Sequence, residues 1–278
     1  MNKLKVTQND SSAELPRRTS STGRRLIVWL LFLIVLLVLA AMGYLAYLAY
    51  ISPEEKLHQF NEAFNPKPHP VGIIDYKADA ELFRIKKEEA YLKSKVDMLA
   101  TDSIYLAINL KDSLLSIEIQ GVALQTVKIA KFRKSGIFDG MEGIALINQF
   151  SSPFKIDSMF ATIEKDPFIL KMAPKDTIEA QNDVSIPDTA RLEPVLFSAY
   201  LNKGILLQIS QSEIDESNSA KKYLMKKRYE RTLSFLKTAM ELKTPEYQPF
   251  ISVEIPAKDA RAIYRALPKK AFIAIRLE

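Results

Sequence analysis

One apolar stretch near the N-terminus limits what this chain can become. Residues 26–51 read LIVWLLFLIVLLVLAAMGYLAYLAYI, twenty-six residues without a charged side chain. A helix rises about 1.5 Å per residue and the hydrocarbon core of a bilayer is about 30 Å thick, so about 20 apolar residues are enough to cross it. The stretch therefore predicts a single transmembrane helix at 26–51, with the lipid bilayer as its first partner.

A cleaved secretory signal is the competing interpretation, because small residues around Gly43 offer a peptidase site. The apolar core of a signal is about 7 to 15 residues long, whereas here apolarity continues for eight residues beyond Gly43. Tyr44, Tyr47 and Tyr50 recur near the far end, and tyrosine favours the headgroup layer of a membrane. The pattern favours a retained anchor.

The charges on either side of the stretch predict its orientation. Six basic and two acidic residues precede it, whereas the far side opens with Pro53, Glu54 and Glu55. Because positive charge is enriched on the cytoplasmic side of membrane proteins, residues 1–25 are expected to be a disordered cytoplasmic tail. The residues that determine the topology are then the paired arginines Arg17, Arg18, Arg24 and Arg25.

Composition narrows the class of the remaining chain. Only +2 of the formal charge of +6 is left after the stretch, which gives no indication of nucleic-acid binding. The chain has no cysteine, so disulfides, a thiol nucleophile and Cys-containing metal sites are excluded, and no cofactor motif is present. No Asn-x-Ser/Thr sequon follows the stretch. These features favour a bacterial inner-membrane protein with a periplasmic domain.

The membrane-proximal segment 52–100 is expected to hold two helices joined by a stiff spacer. Ser52 and Pro53 resemble a helix start, and prolines at 66, 68 and 70 predict extended geometry between the helices. The second helix, at 78–99, either packs on its own domain or pairs with a second copy to form a homodimer. Its apolar residues occupy the a and d positions of a heptad pattern and are Leu82, Ile85, Leu92, Val96 and Leu99.

From residue 103 the apolar period changes from helical to alternating, which predicts strands. The expected fold is a single N-terminal transmembrane helix plus a mainly-β (α+β) soluble domain at 101–278, made of antiparallel strands with a few helices. A loop is expected at 173–193, and a short strand or helix at 144–150. Strands are expected at 104–110, 115–120, 124–132, 154–163, 167–172, 196–201, 205–209, 250–255 and 271–277, with a helix at 259–267.

A long helix is predicted at 217–242, and its apolar set includes Tyr223, Leu224, Leu233, Leu236 and Met240. It also carries a basic cluster, which is either a solvated helix face or a site for an anionic polymer or lipid headgroups. The cluster consists of Lys221, Lys222, Lys226, Lys227, Arg228 and Arg231.

Two parts of the domain carry a family resemblance. Residues 104–110 and 115–127, with Gly121 at the turn, follow a pattern of the kind I-x-V-x-L, turn, L-x-V, glycine. The segment Asp259-Ala260-Arg261-Ala262-Ile263-Tyr264, running into 271–275, is similar to a closing helix read as D-A-x-x-L-Y and the strand after it. Together they resemble a YkuD-type L,D-transpeptidase domain, the mainly-β fold that cross-links or anchors bacterial peptidoglycan.

The chain lacks the residues that carry out catalysis in that family. The family uses a His-Gly step and a later Ser-x-Gly-Cys segment, in which histidine activates a cysteine thiolate. In the best-matching hairpin, which turns at Gly204, Gln208-Ile209 stands where His-Gly would fall, and no cysteine follows. The resemblance therefore implies a pseudoenzyme with a degenerate cleft at Gly204 and Gln208.

No Ser-His-Asp site is expected in the predicted domain, because the only histidines, His58 and His69, lie outside it. The first functional hypothesis is a non-catalytic envelope protein whose periplasmic domain binds or scaffolds peptidoglycan or envelope partners. The second is a structural subunit of a membrane-spanning envelope assembly for secretion, division or motility. The third is a hydrolase or transpeptidase with unrecognised chemistry. A cleft beneath the 196–209 hairpin favours the first, and an exposed apolar stripe at 82–99 favours the second.

Reversing the charges of Arg17, Arg18, Arg24 and Arg25 should scramble the topology, since those charges are expected to hold the tail in the cytoplasm. A reporter that is active only in the periplasm, fused to the C-terminus, should lose a large part of its activity. Unchanged reporter activity would contradict the assignment of these arginines.

Overall fold

The computed structural model describes residues 21–65, 76–163, 165, 194–212 and 218–278. The chain divides into two units between Tyr47 and Leu48. The first unit contains the beginning of helix α1, and the second contains the end of that helix together with the sheet and the other helices. The predicted strand at 167–172 and loop at 173–193 lie outside the described residues, as do Arg17, Arg18 and the predicted proline spacer.

Helix α1 runs from Ser21 to Phe64 and contains the whole apolar stretch. Among the described residues it is the one helix long and apolar enough to cross a membrane, with a mean hydropathy of 3.1 in its most apolar window. The predicted new helix start at Ser52 is wrong, because α1 continues through Pro53. The Ser52 hydroxyl does not cap a helix; it is buried and donates to the Pro245 carbonyl oxygen at 2.6 Å.

The remaining described elements follow in chain order after a single 3₁₀ turn at Tyr76–Ala78. The helices are α2 (Ala80–Leu99), α3 (Ile137–Gly140), α4 (Gly143–Phe150), α5 (Asn218–Met240) and α6 (Ala257–Ala266). The strands are β1 (Tyr105–Asn109), β2 (Leu114–Ile119), β3 (Val122–Lys128), β4 (Lys131–Lys134), β5 (Phe154–Ala161), β6 (Leu196–Leu201), β7 (Ile205–Gln211), β8 (Phe250–Ile255) and β9 (Phe272–Arg276).

The nine strands of the described residues form one sheet in the order β3-β2-β1-β9-β5-β6-β7-β8-β4. The prediction of a mainly-β domain with some helices is confirmed, but the expected all-antiparallel pairing is wrong for two pairs. Strand β1 is parallel to β9, and β7 is parallel to β8. Parallel strands are usually covered on both faces, and β1 follows this rule, because four of its five residues are buried.

The predicted single strand at 124–132 is also wrong, because a two-residue link divides it into β3 and β4 at opposite edges of the sheet. In this link the Ile129 N–H donates to the Ser113 carbonyl at 2.8 Å, and the Ala130 N–H donates to the Glu254 carbonyl at 2.8 Å. The link therefore touches the strands next to both edges. Because two residues connect one edge strand to the other, the sheet must curl. A groove of about 330 Å³, which we call the seam groove, lies at this link and is lined by residues 129–133, Ser113, Ser252 and Glu254.

The tight turn between β2 and β3 forms as the sequence predicts. Gln120 and Gly121 both have positive φ, 48° and 80°, which is the geometry of the type I′ turn that matches the twist of a hairpin. A Cβ atom at Gly121 would lie 2.6 Å from Leu99 Cδ2. The positive φ of the turn therefore favours glycine, and a larger residue there would also displace the end of the Leu99 side chain.

The main core fills the curled sheet and includes residues from the predicted membrane-proximal segment. Phe60 of α1 is a buried member of this core, and Leu57 and Phe64 pack against it. A smaller cluster joins α2 to the outer face of β1 and β9 through Tyr91, Met98, Tyr105, Ala107 and Ala274. The described parts of 52–100 thus belong to the same unit as 101–278, and the boundary lies at Leu48.

This core predicts different effects for two phenylalanines of β5. Phe154 is fully buried, whereas Phe160 is 49% exposed. Phe154→Ala should lower the free energy of unfolding by about 3–5 kcal/mol, because it leaves a cavity, and the matched control Phe160→Ala by about 1 kcal/mol or less. Urea unfolding of the full chain in mild detergent measures both; equal losses would contradict the assigned core.

Candidate functional site

The structure places Gly204 and Gln208 in one hairpin, formed by β6 and β7. Gly204 has φ +71° in the predicted β6–β7 turn, near Lys56 and Phe60 of α1. Gln208 is half-buried in the middle of β7, where it pairs with Ser198 on one side and Ser252 on the other. Neither residue lines the seam groove or the small cavity beside α4.

The proposed basic cluster lies on α5, as predicted, but does not form a single face. The side chains of Lys222, Lys226, Arg228 and Arg231 are exposed, while those of Lys221 and Lys227 lie outside the described side chains. At about 100° per residue, Lys222 and Arg231, which are nine positions apart on the helix, point in opposite directions. Positive charge therefore surrounds the helix.

Helix α2 has two apolar faces. It starts at Asp79, whose side chain accepts from the N–H groups of Glu81 and Leu82 and so satisfies two free donors of the first turn. Its buried residues are Ala90, Tyr91, Ser94 and Met98. The heptad residues are all exposed, by 36% to 60%, and we call them the α2 stripe: Leu82, Ile85, Leu92, Val96 and Leu99.

The α2 stripe points away from the sheet. At about 100° per residue, the centre of the stripe lies opposite the centre of the buried set. The two interpretations of this helix therefore concern different faces, because α2 packs on its own domain and also displays its heptad pattern outward.

A buried carboxylate fixes the direction in which the stripe points. Glu118 of β2 is 4% exposed and accepts from Lys95 Nζ of α2 at 2.9 Å, from Tyr105 Oη at 3.0 Å and from Ser116 Oγ at 2.6 Å. Burial and the bond to Glu118 raise the pKa of Tyr105 to about 12, so its phenol remains a donor. Burial, with the Glu118 charge adding to it, also raises the pKa of Tyr91. These contacts hold α2 in one orientation.

Helix α5 exposes one set of its apolar side chains, while Phe235 is half-buried and Ala239 is buried. Met225, Tyr229, Leu233, Leu236 and Met240 are exposed. Their spacing of three or four residues places them on one side of the helix, and we call them the α5 stripe. Leu242, just beyond the helix, is 81% exposed.

One lysine–serine pair was not predicted from the sequence. Lys203 Nζ donates to the Gln149 carbonyl at 2.5 Å, and to the carbonyl and the hydroxyl of Ser152 at 2.8 Å each. It also lies 4.4 Å from the centre of the Phe154 ring. The pair could not be found from the sequence, because its members are 51 residues apart and neither belongs to a motif.

The geometry of Lys203 is that of a helix cap. A lysine that activates a serine must accept its proton, as in Ser-Lys hydrolases. Here the amine donates to three oxygens, one of them a carbonyl in the last turn of α4, where positive charge is favourable. Burial lowers the pKa of Lys203 to about 8.

Other chemistry-bearing side chains are dispersed. His58 is exposed and pairs with Glu62 at 3.3 Å on α1, and His69 lies outside the described residues. No group of three or more His, Asp or Glu side chains with the spacing of a metal site occurs in the part of the chain that the structure describes.

Comparison with known proteins identifies no relative. No protein-family model matches the chain, and no curated protein and no solved structure matches it. The resemblance to L,D-transpeptidase domains stays a prediction, carried by the residues quoted for it.

The buried amine of Lys203 predicts a pH dependence. Its pKa is about 8 in the folded protein, against 10.5 for a free lysine, so the unfolded chain binds more protons between these values and stability rises with pH there. Lys203→Met keeps the apolar stem and should flatten this part of the profile. Urea unfolding at several pH values measures it.

The exposed neighbour Lys155 provides a matched control, and Lys155→Met should leave the profile unchanged. An unaltered slope in Lys203→Met would contradict the assignment of the pH dependence to Lys203.

Proposed function

We propose that this chain is a single-pass protein of the bacterial inner membrane that acts as a non-catalytic structural subunit of an envelope assembly. Its N-terminus would lie in the cytoplasm and the domain from Leu48 onward in the periplasm. The observation that carries this proposal is the α2 stripe, an apolar heptad face whose five side chains are each 36% to 60% exposed. Large exposed apolar patches mark interaction sites.

The anchoring part of the proposal rests on α1 and its flanks. The apolar stretch is long enough for a bilayer, and the side chains of residues 26–44 are exposed, as lipid contact requires. The excess of basic residues before it supports a cytoplasmic N-terminus.

The described hairpin at 196–211 supports the assembly role over peptidoglycan binding. A binding module needs a concave site with convergent polar groups. Gln208 is instead held between two paired strands and lines neither described cavity. The exposed apolar side chains of the α2 stripe therefore favour the assembly role.

The charges beside the α2 stripe favour a second copy of this chain as the partner. Glu81 and Glu88 occupy g positions, and Lys86 and Lys93 occupy e positions. In a parallel pair each g residue faces the e residue five positions later in the other helix. Glu81 then meets Lys86 of the second copy, and Glu88 meets Lys93. In an antiparallel pair, lysine would face lysine.

Two further features set the strength of such a pair. The heptad pattern is short, but α2 is already folded on the sheet, so pairing does not have to pay for helix formation. Glu89 interrupts the stripe at an a position, where it bonds to Lys86 Nζ at 2.6 Å. A charge at an a position weakens a coiled coil while fixing its register. We therefore expect a reversible dimer.

The absence of cysteine from the chain allows a clean test. In full-length protein in membranes, Ile85→Cys should form a disulfide dimer under mild oxidation, since residues at the same d position meet in a parallel pair. In an antiparallel pair residue 85 faces residue 96, and the two cysteines would be about 16 Å apart, beyond disulfide reach.

The control is Asp97→Cys, which is exposed on α2 but off the stripe and should remain monomeric. Adding Glu89→Leu to Ile85→Cys should raise the cross-linked fraction, a gain that a damaged fold cannot produce. Equal cross-linking at 85 and 97 would overturn the pairing. Retention of the protein on peptidoglycan sacculi that survives salt would support the binding hypothesis instead.

A further inference from the structure

The end of α5 is tied to the part of α1 that directly follows the apolar stretch. Ser52 Oγ donates to the Pro245 carbonyl at 2.6 Å, and Lys56 pairs with Glu246 at 3.0 Å. The Thr244 hydroxyl donates to Glu55 at 3.2 Å. The apolar stretch ends at Ile51. The segment after α5 is therefore held within one helical turn of the residue where the chain leaves its apolar stretch.

Apolar side chains at this end of α5 are among the most exposed of the domain. Met240 is 85% exposed and Leu242 is 81% exposed. They continue the α5 stripe, which reaches back along the helix to Met225. An apolar surface of this kind is unfavourable in water, so its place beside the end of the apolar stretch needs an explanation.

The backbone at Leu242 adds an independent observation. Leu242 has φ +56°; its N–H donates to the Ala239 carbonyl at 3.1 Å, and the Lys243 N–H donates to the Thr238 carbonyl at 3.2 Å. This is the Schellman arrangement, whose left-handed residue is usually glycine. A leucine at that position costs backbone strain and exposes an apolar side chain. The backbone strain and the exposed apolar surface are both unfavourable if the Leu242 side chain stays in water.

The charge around the stripe matches an anionic surface. Residues 218–243 contain eight basic and two acidic side chains. Lys222, Lys226 and Lys237 lie on or beside the stripe by helical geometry, and Lys243 pairs with Glu241 just after the helix. Lysine stems follow apolar surface while the ammonium groups reach outward to water and phosphate.

We infer that the end of α5 is a second membrane contact. Met240 and Leu242 enter the headgroup layer of the bilayer that holds α1, and Lys237 and Lys243 meet anionic phospholipid headgroups. This inference rests on the proposed anchoring by α1. The domain is then fixed against the membrane at two places, and α5 is its interfacial helix.

The test places one cysteine on the naturally cysteine-free full chain. Met240→Cys is labelled with a bimane fluorophore, and the protein is reconstituted into vesicles of phosphatidylethanolamine and phosphatidylglycerol that carry a nitroxide lipid near the headgroups. Quenching should be several-fold stronger than for the same label at Val122→Cys. Val122 is 63% exposed and follows the β2–β3 turn, at the other end of the strands from the Gly204 turn.

Two changes test the cause of the quenching. Leu242→Gly relieves the left-handed backbone, so it should keep or raise the thermal midpoint while lowering the quenching at residue 240. Vesicles of phosphatidylcholine alone should also lower it, because they lack the anionic headgroup. Equal quenching in both lipids would overturn the assignment of an anionic partner.

Trp29 separates failure of this inference from failure of the anchor, since it is the only tryptophan and lies in the apolar stretch. If nitroxide lipid quenches Trp29 but quenches residue 240 no more than residue 122, the α5 contact is overturned and the anchor stands. If Trp29 is not quenched, the anchor itself is overturned, and the inference with it.

Discussion

The two-residue link at Ile129 and Ala130 is the constraint on which the domain depends. It carries the chain from one edge of a nine-stranded sheet to the other, so the sheet must curl. Curling encloses the main core and brings the two edges together, which limits the open edge that would otherwise invite other strands to pair. The main core includes side chains from the strands and from α1, α3, α4 and α6, whereas α2 packs through a second cluster on β1 and β9. The face of α2 that points away from the sheet is therefore exposed.

Local periodicity predicted much of the fold. The 104–119 hairpin, the turns at Gly121 and Gly204, α5 and the closing strand–helix–strand unit all follow from short-range alternation and turn residues. The break at 129–130 could not be predicted in this way, because Val127 and Ile129 continue the alternation of β3. Only pairing with β8, more than a hundred residues later, separates β4 from β3.

The surface of the domain was predicted less well, for a related reason. The heptad pattern of α2 is clear in the sequence, but the face that packs on the sheet consists of Ala90, Tyr91, Ser94 and Met98, which no hydrophobic pattern singles out. The apolar set predicted on α5 includes Leu233, Leu236 and Met240, and the structure exposes all three. Periodicity indicates which residues share a face, whereas the tertiary structure decides what that face meets. The Lys203 cap was hidden for the same reason.

The contribution of α1 to the core affects how the domain could be shed. Phe60 is buried in the main core, and Leu57 and Phe64 pack against it. Proteolysis C-terminal to Phe60 would therefore remove core side chains along with the anchor. A large buried aromatic side chain typically contributes several kcal/mol to stability, a substantial share of what a domain of this size possesses. The released fragment would lack part of its hydrophobic core, so it would be less stable and more susceptible to further proteolysis.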